Sequence, residues 1–141
     1  MLEGARTPVK RVQARVGDGE VTYAGSVGFG DREYVWAKDH AVDDLLAEDW
    51  RSAAAVLERL GSPARLALLA ALLTAPRTRA QLQEALGDTS TGHLYHHLRE
   101  LQGAGLIAQR RRGEYEIVAQ APVPLLAIVA AALDLSTGLP A

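Results

Sequence analysis

Three of the four histidines, His93, His96 and His97, fall together with Tyr95, Arg99 and Glu100 in one short stretch. On a helix, His93, His97 and Glu100 have the i, i+4, i+7 spacing of a one-face metal site, similar to the paired histidines of a helical zinc hydrolase. The residue after the first histidine is Leu94, however, where such an enzyme needs a glutamate as its base. His97 also lies only about 60° from an apolar stripe on the same helix, so a packed, hydrogen-bonded imidazole is the expected reading. The chain shows no nucleophile with a base, no carboxylate pair and no phosphate-cradling glycine loop, and Gly28-Phe29-Gly30 reads as a turn. Neither an enzyme nor a resident metal or cofactor is expected. Two imidazoles, a phenol, a guanidinium and the bare backbone of Gly92 instead suit recognition of polar edges and phosphates.

The stretch carrying them reads as one helix with two faces. Leu94, Leu98, Leu101 and Gly105 fall on one stripe, with Gly92, His96, Arg99 and Gly103 opposite. Thr89, Ser90 and Thr91 are candidate caps for its orphan amides, and Gly103-Ala104-Gly105 ends it. Upstream, residues 78–87 give a shorter amphipathic helix through Ala80, Leu82, Ala85 and Leu86, stopped by Gly87. Downstream, residues 106–110 and 114–118 are strand-like runs around the turn Arg111-Arg112-Gly113. Helix, turn, helix and basic hairpin is the order of a winged helix-turn-helix, whose second helix enters the major groove while the wing grips backbone. The predicted DNA-binding residues are Ser90, Thr91, Gly92, His93, Tyr95, His96 and Arg99 on the helix, and Arg110, Arg111 and Arg112 on the wing. His96 and Tyr95 are placed to reach base edges, with the arginines on phosphate or in the minor groove.

Residues 60–69, Leu-Gly-Ser-Pro-Ala-Arg-Leu-Ala-Leu-Leu, and residues 98–106, Leu-Arg-Glu-Leu-Gln-Gly-Ala-Gly-Leu, resemble the helix and helix-to-wing signatures of ArsR-type repressors. Tyr95-His96-His97-Leu98 is similar to that family's Ser-His-His-Leu. The resemblance runs over residues 41–118 and implies a dimeric transcription repressor, released from DNA by an effector and paired through its first and last helices. Metal-sensing members carry Cys-x-Cys in the first helix of the motif, or Asp and His ligands on the last helix. This chain has no cysteine, and its last helix offers only Asp134, so a non-metal effector is expected, either a small organic molecule or a protein. Gly92 and Tyr95 stand where the family tends to have serine or threonine, and Thr89 where it tends to have an apolar residue. Base preferences therefore do not transfer. Arg65 matches an arginine of the family's first signature and is assigned no site role.

The formal net charge of −2 argues against bulk electrostatic binding of nucleic acid, but the charge is unevenly spread. Asp39, Asp43, Asp44, Glu48 and Asp49 crowd the first half, whereas Arg77, Arg79, Arg99, Arg110, Arg111 and Arg112 oppose only Glu84, Asp88 and Glu100. Residues 1–16 build no apolar leader, and the apolar run 125–133 is too short for the roughly 20 residues of a membrane span. A cytoplasmic protein without membrane contact is expected.

The chain is expected to be mostly α with small β elements. Residues 1–38 form an N-terminal β-hairpin or meander appendage, and 39–141 a winged helix-turn-helix domain with flanking dimerisation helices. After a loose arm over 1–8, alternation through Val12, Ala14 and Val16, then Val21, Tyr23, Gly25 and Val27, then Tyr34 and Trp36 suggests two or three strands separated by glycine turns. Since a lone hairpin is marginal in water, its apolar side must rest on something. Residues 39–60 read as one long helix closed by Gly61. Ser62 and Pro63 begin the next, which ends at Pro76. The run 125–133 is apolar all round and calls for cover that so short a chain supplies most economically from a second copy. The expected interface is Leu45, Leu46, Trp50, Leu125, Ile128, Val129 and Leu133. The competing reading is a winged-helix interaction or scaffold module that binds no specific DNA.

Overall fold

The computed structural model describes residues 19–87 and 91–138. The expected arm at 1–8, the Val12–Ala14–Val16 run, the caps Thr89 and Ser90 and the last three residues of the tail lie outside them. The chain enters as a two-stranded antiparallel hairpin, β1 (Glu20–Phe29) and β2 (Arg32–Ala41). Between the strands, Gly30 takes the first central turn position with φ 61°, where a two-residue loop of the II′ kind demands glycine. The alternation is that of a hairpin covered on one side. Tyr23, Gly25, Val27 and Phe29 oppose Lys38, Trp36, Tyr34 and Arg32 on the inner face, while Val35 points to solvent on the other. Trp36 donates its indole N–H to the Tyr23 hydroxyl at 3.1 Å. The strands are longer than the short runs expected, and β2 crosses the predicted domain boundary at 38.

The long helix expected over 39–60 is two helices, α1 (Val42–Ala47) and α2 (Arg51–Leu60). Glu48 is extended at φ −74°, ψ 153°. Trp50 donates its indole N–H to the Leu45 carbonyl at 2.7 Å, and the Asp49 carboxylate accepts the Arg51 amide at 3.0 Å. These side chains satisfy the groups that a break exposes, which lets an apolar periodicity typical of one helix fold as two.

The second half follows the sequence closely. Helix α3 (Pro63–Thr74) starts at the Ser62 hydroxyl, which accepts the Arg65 amide, with Pro63 inside its first turn. A two-residue strand, β3 (Arg77–Thr78), leads into α4 (Arg79–Leu86), where Thr78 and Gln81 form a reciprocal capping box. Helix α5 (Thr91–Gly103) precedes the wing strands β4 (Ile107–Arg111) and β5 (Glu114–Ile117). In the wing sheet β5 is central, with β3 on one side and β4 on the other. Leu94, Leu98 and Leu101 of α5 are each at most 1% exposed and meet Leu68, Leu69 and Leu72 of α3, Leu82 of α4 and Tyr115 and Ile117 of β5 in one core. Truncating any of these leucines to alanine should cost about 2–5 kcal/mol. Gly105 leaves the predicted stripe, since the helix has ended and the residue turns the chain at φ 75°.

Helix α6 (Pro122–Ser136) begins three residues before the apolar run. Part of the cover expected from a second copy comes from the chain itself. The hairpin lies across α6 so closely that a Cβ on Gly25 would sit 2.7 Å from Val123 Cγ1. Leu125 is 3% exposed within this chain's core, which corrects its expected place on a dimer face. Ile128 and Val129 are half-buried against that core. Leu133, at 60% exposure, is left open. Among the described residues no helix is long and apolar enough to cross a membrane.

Candidate nucleic-acid interface

With its leucine stripe buried, α5 presents Gly92, His93, Tyr95, His96 and Arg99 on its exposed side. Ser90 and the side chain of Thr91 fall outside the described set. His97 belongs between the faces. Its Nδ1 accepts a hydrogen bond from Arg65 Nε at 3.2 Å, and Arg65 also donates to the Arg59 carbonyl at 3.2 Å. Burial first, then the nearby charges of Arg65, His96 and His93, hold the His97 imidazole below its ordinary 6.5, as the neutral acceptor. Glu100 is paired with Arg59 at 3.3 Å. Two of the i, i+4, i+7 trio, His97 and Glu100, are thus built into the contacts joining α5 to α2 and α3, while His93 is exposed, and no grouping of three or more side chains that could hold a metal ion occurs among the described residues. Arg65, assigned no role from the sequence, anchors this junction and reaches to 3.5 Å from His96 Nε2.

The wing turn is one residue later than expected, at Arg112-Gly113, because Arg110 forms a bulge opposite β5. Gly113 turns the chain at φ 74°. Arg110 and Arg111 both engage Glu114, at 3.2 and 3.4 Å. Arg112, by contrast, is exposed at the tip. Ion pairs near the surface contribute little to stability. Arg79 is the residue the sequence reading missed. Its amide donates to the Gly113 carbonyl at 3.0 Å, and its guanidinium carbon stands 5.4 Å from the Tyr95 ring centroid. Among the described residues Arg79, Arg99 and Arg112 make no ion pair. The only sequence signal for Arg79 was its place in the basic segment from Arg77 to Arg112.

A helix set on a leucine core, flanked by a short helix in front and a basic hairpin behind, is the geometry of a winged helix-turn-helix. Residues 60–110 match the family described as the helix-turn-helix domain. The chain carries an ArsR-like winged helix-turn-helix domain. A solved homodimeric winged helix-turn-helix DNA-binding domain from Mycobacterium bovis, a possible ArsR-family transcriptional regulator, is 25% identical with a TM-score of 0.52, over 71% of this chain and 93% of that one. The fold is shared by the transcriptional repressor BigR of Xylella fastidiosa, at 20% identity and a TM-score of 0.54 over 72% of this chain and 100% of the other. NolR of Sinorhizobium fredii shares it too, at 22% and 0.52 over 68% and 92%. No curated protein sequence matches the chain. Winged helix-turn-helix and β-hairpin thus stand in one chain, the latter seated on the domain's last helix.

Proposed function

We propose that this protein is a cytoplasmic, homodimeric transcriptional repressor that binds double-stranded DNA sequence-specifically and is released by a non-metal effector. The family match and the neighbouring folds support a DNA-binding transcriptional regulator of the ArsR and helix-turn-helix type. The observation that carries the reading is the exposed face of α5, with Gly92, His93, Tyr95, His96 and Arg99, bordered by Arg110, Arg111 and Arg112 of the wing. His96 is assigned to base edges, and Arg99 and the wing arginines to the backbone, together with Ser90 and Thr91 at the start of the helix.

Self-association is supported by an apolar groove of about 360 Å³ between α2, the start of α3 and α6, lined by Leu57, Leu66, Val129 and Leu133. Leu46 and Trp50 are further exposed apolar side chains on α1 and the break after it, Leu45 is half-buried on α1, and Ile128 is half-buried in the groove's lining. The homodimeric state of the Mycobacterium bovis domain points the same way. Residues 39–141 form the DNA-binding and dimerising unit in this reading, and residues 1–38 its appendage. The absence of thiolates from the sequence favours an organic molecule or a protein as the effector.

Selection of bound fragments from random duplex DNA tests the reading. A two-fold repeat with half-sites about one helical turn apart is expected from a dimer that lays both α5 helices in successive major grooves. Recovery of no enriched sequence contradicts it.

A further inference from the structure

Three elements converge on one guanidinium. Arg79 opens α4, and β3 just before it pairs with β5 through Arg77 opposite Tyr115 and Thr78 opposite Glu114. The Arg79 amide closes onto the carbonyl of Gly113 in the wing turn. Its guanidinium lies on one side against the Tyr95 ring of α5. On the other it is near enough to the wing turn that a Cβ on Gly113 would stand 3.4 Å from Nη2. A planar guanidinium held against a ring keeps its edge N–H donors free for an anion and loses little further side-chain freedom on binding one. Arg110 and Arg111 share Glu114, whereas Arg79 has no carboxylate at ion-pair distance among the described residues.

The geometry points to Arg79 as a DNA-backbone contact that bridges reading helix and wing, with Tyr95 as the platform that orients it. This rests on the DNA-binding reading above. It divides labour in a way the sequence does not display. Tyr95 acts mainly through the Arg79 guanidinium, and a phosphate of the strand between major groove and wing is gripped from a residue outside both the reading helix and the wing. Arg79 binds the phosphate, and Tyr95 is a positioning residue.

The experiment is a titration of the full-length protein against a selected duplex and a scrambled one at several salt concentrations, with wild type, Arg79→Gln, Arg79→Lys, Tyr95→Phe and Tyr95→Leu. Loss of one phosphate contact per subunit should reduce the magnitude of the log–log salt slope by about 0.9, or about 1.8 in a dimer, which corresponds to roughly 60-fold in affinity at 0.1 M salt relative to 1 M. Arg79→Gln should show this loss on both duplexes with an unchanged melting temperature. Arg79→Lys should keep the slope, Tyr95→Phe should match wild type, and Tyr95→Leu should weaken both duplexes. If Arg79→Gln lowers the melting temperature and affinity but leaves the slope intact, Arg79 only ties α4 to the wing and the proposal falls. It falls equally if Arg79→Gln binds like wild type, or if Tyr95→Leu affects the selected duplex alone. Wild type that binds no duplex overturns the DNA-binding reading itself, and this assignment with it.

Discussion

Leu133→Ala isolates self-association from folding. Leu133 is 60% exposed at the rim of the apolar groove between α2 and α6, so its truncation removes little that the single chain has already buried. Full burial of a leucine stabilises by about 1.5–3 kcal/mol, and the open 60% of the side chain therefore carries about 0.9–1.8 kcal/mol if a partner covers it. A two-fold interface contains the residue twice, which gives about 1.8–3.6 kcal/mol and, at about 1.4 kcal/mol per tenfold, a dimer dissociation constant weakened roughly 20- to 400-fold. Ile128→Asp would not separate the two effects, because Ile128 packs against the chain's own core. Sedimentation across nanomolar to micromolar concentration reads the constant, and circular dichroism checks the fold. Val35→Ala is the control, since Val35 is 71% exposed on the outer face of the hairpin. An unchanged dissociation constant for Leu133→Ala, or a wild type that stays monomeric, would refute the reasoning.

Other perturbations probe the remaining joints. Gly25→Ala drives a methyl to 2.7 Å from Val123 Cγ1 and should cost about 1–3 kcal/mol by overpacking; a melting temperature equal to wild type would mean that the hairpin is not seated on α6. His97 is held below 6.5 by burial and then by Arg65, so the unfolded chain binds the extra proton in the window just under pH 6.5, and stability falls as pH is lowered through that window and levels off below the folded-state value. His97→Gln should flatten this acid decline in melts taken between pH 7.5 and 5, and an identical pH profile would show that His97 does not cause it. His96→Ala should lose about 1–3 kcal/mol on the selected duplex and little on a scrambled one; equal losses on both would move His96 from base edges to the backbone.

The sequence displayed what local periodicity and capping control. The leucines at 94, 98 and 101, the Ser62-Pro63 start of α3 and the basic hairpin all follow from spacing and residue type, and the fold places them accordingly. The break at 48–50 did not show, because Trp50 and Asp49 cap a discontinuity without disturbing the three- and four-residue apolar rhythm. The cover of α6 was misjudged for a related reason. Alternation revealed that the hairpin had an apolar side, but pairing that side with Val123 is a contact between Gly25 and a residue about a hundred positions later, which no local pattern encodes. Within the site, the exposed residues of α5 were legible from helical geometry. Arg65 and Arg79 were not, since each acts across elements, one through His97 and the other through Tyr95 and Gly113.

The salt dependence of duplex binding tests the central claim most directly. Arg79, Arg99 and Arg112, without counting Arg110 and Arg111 that pair with Glu114, offer about three phosphate contacts per subunit and about six in a dimer, for which affinity should fall by at least on the order of a thousandfold between 50 and 200 mM salt. The predicted result is a linear log–log plot of that steepness on the selected duplex, with a scrambled duplex weaker throughout but nearly parallel. Binding that is absent, or that barely responds to salt, would contradict a DNA-binding role and leave the helix-turn-helix as a surface for protein contacts.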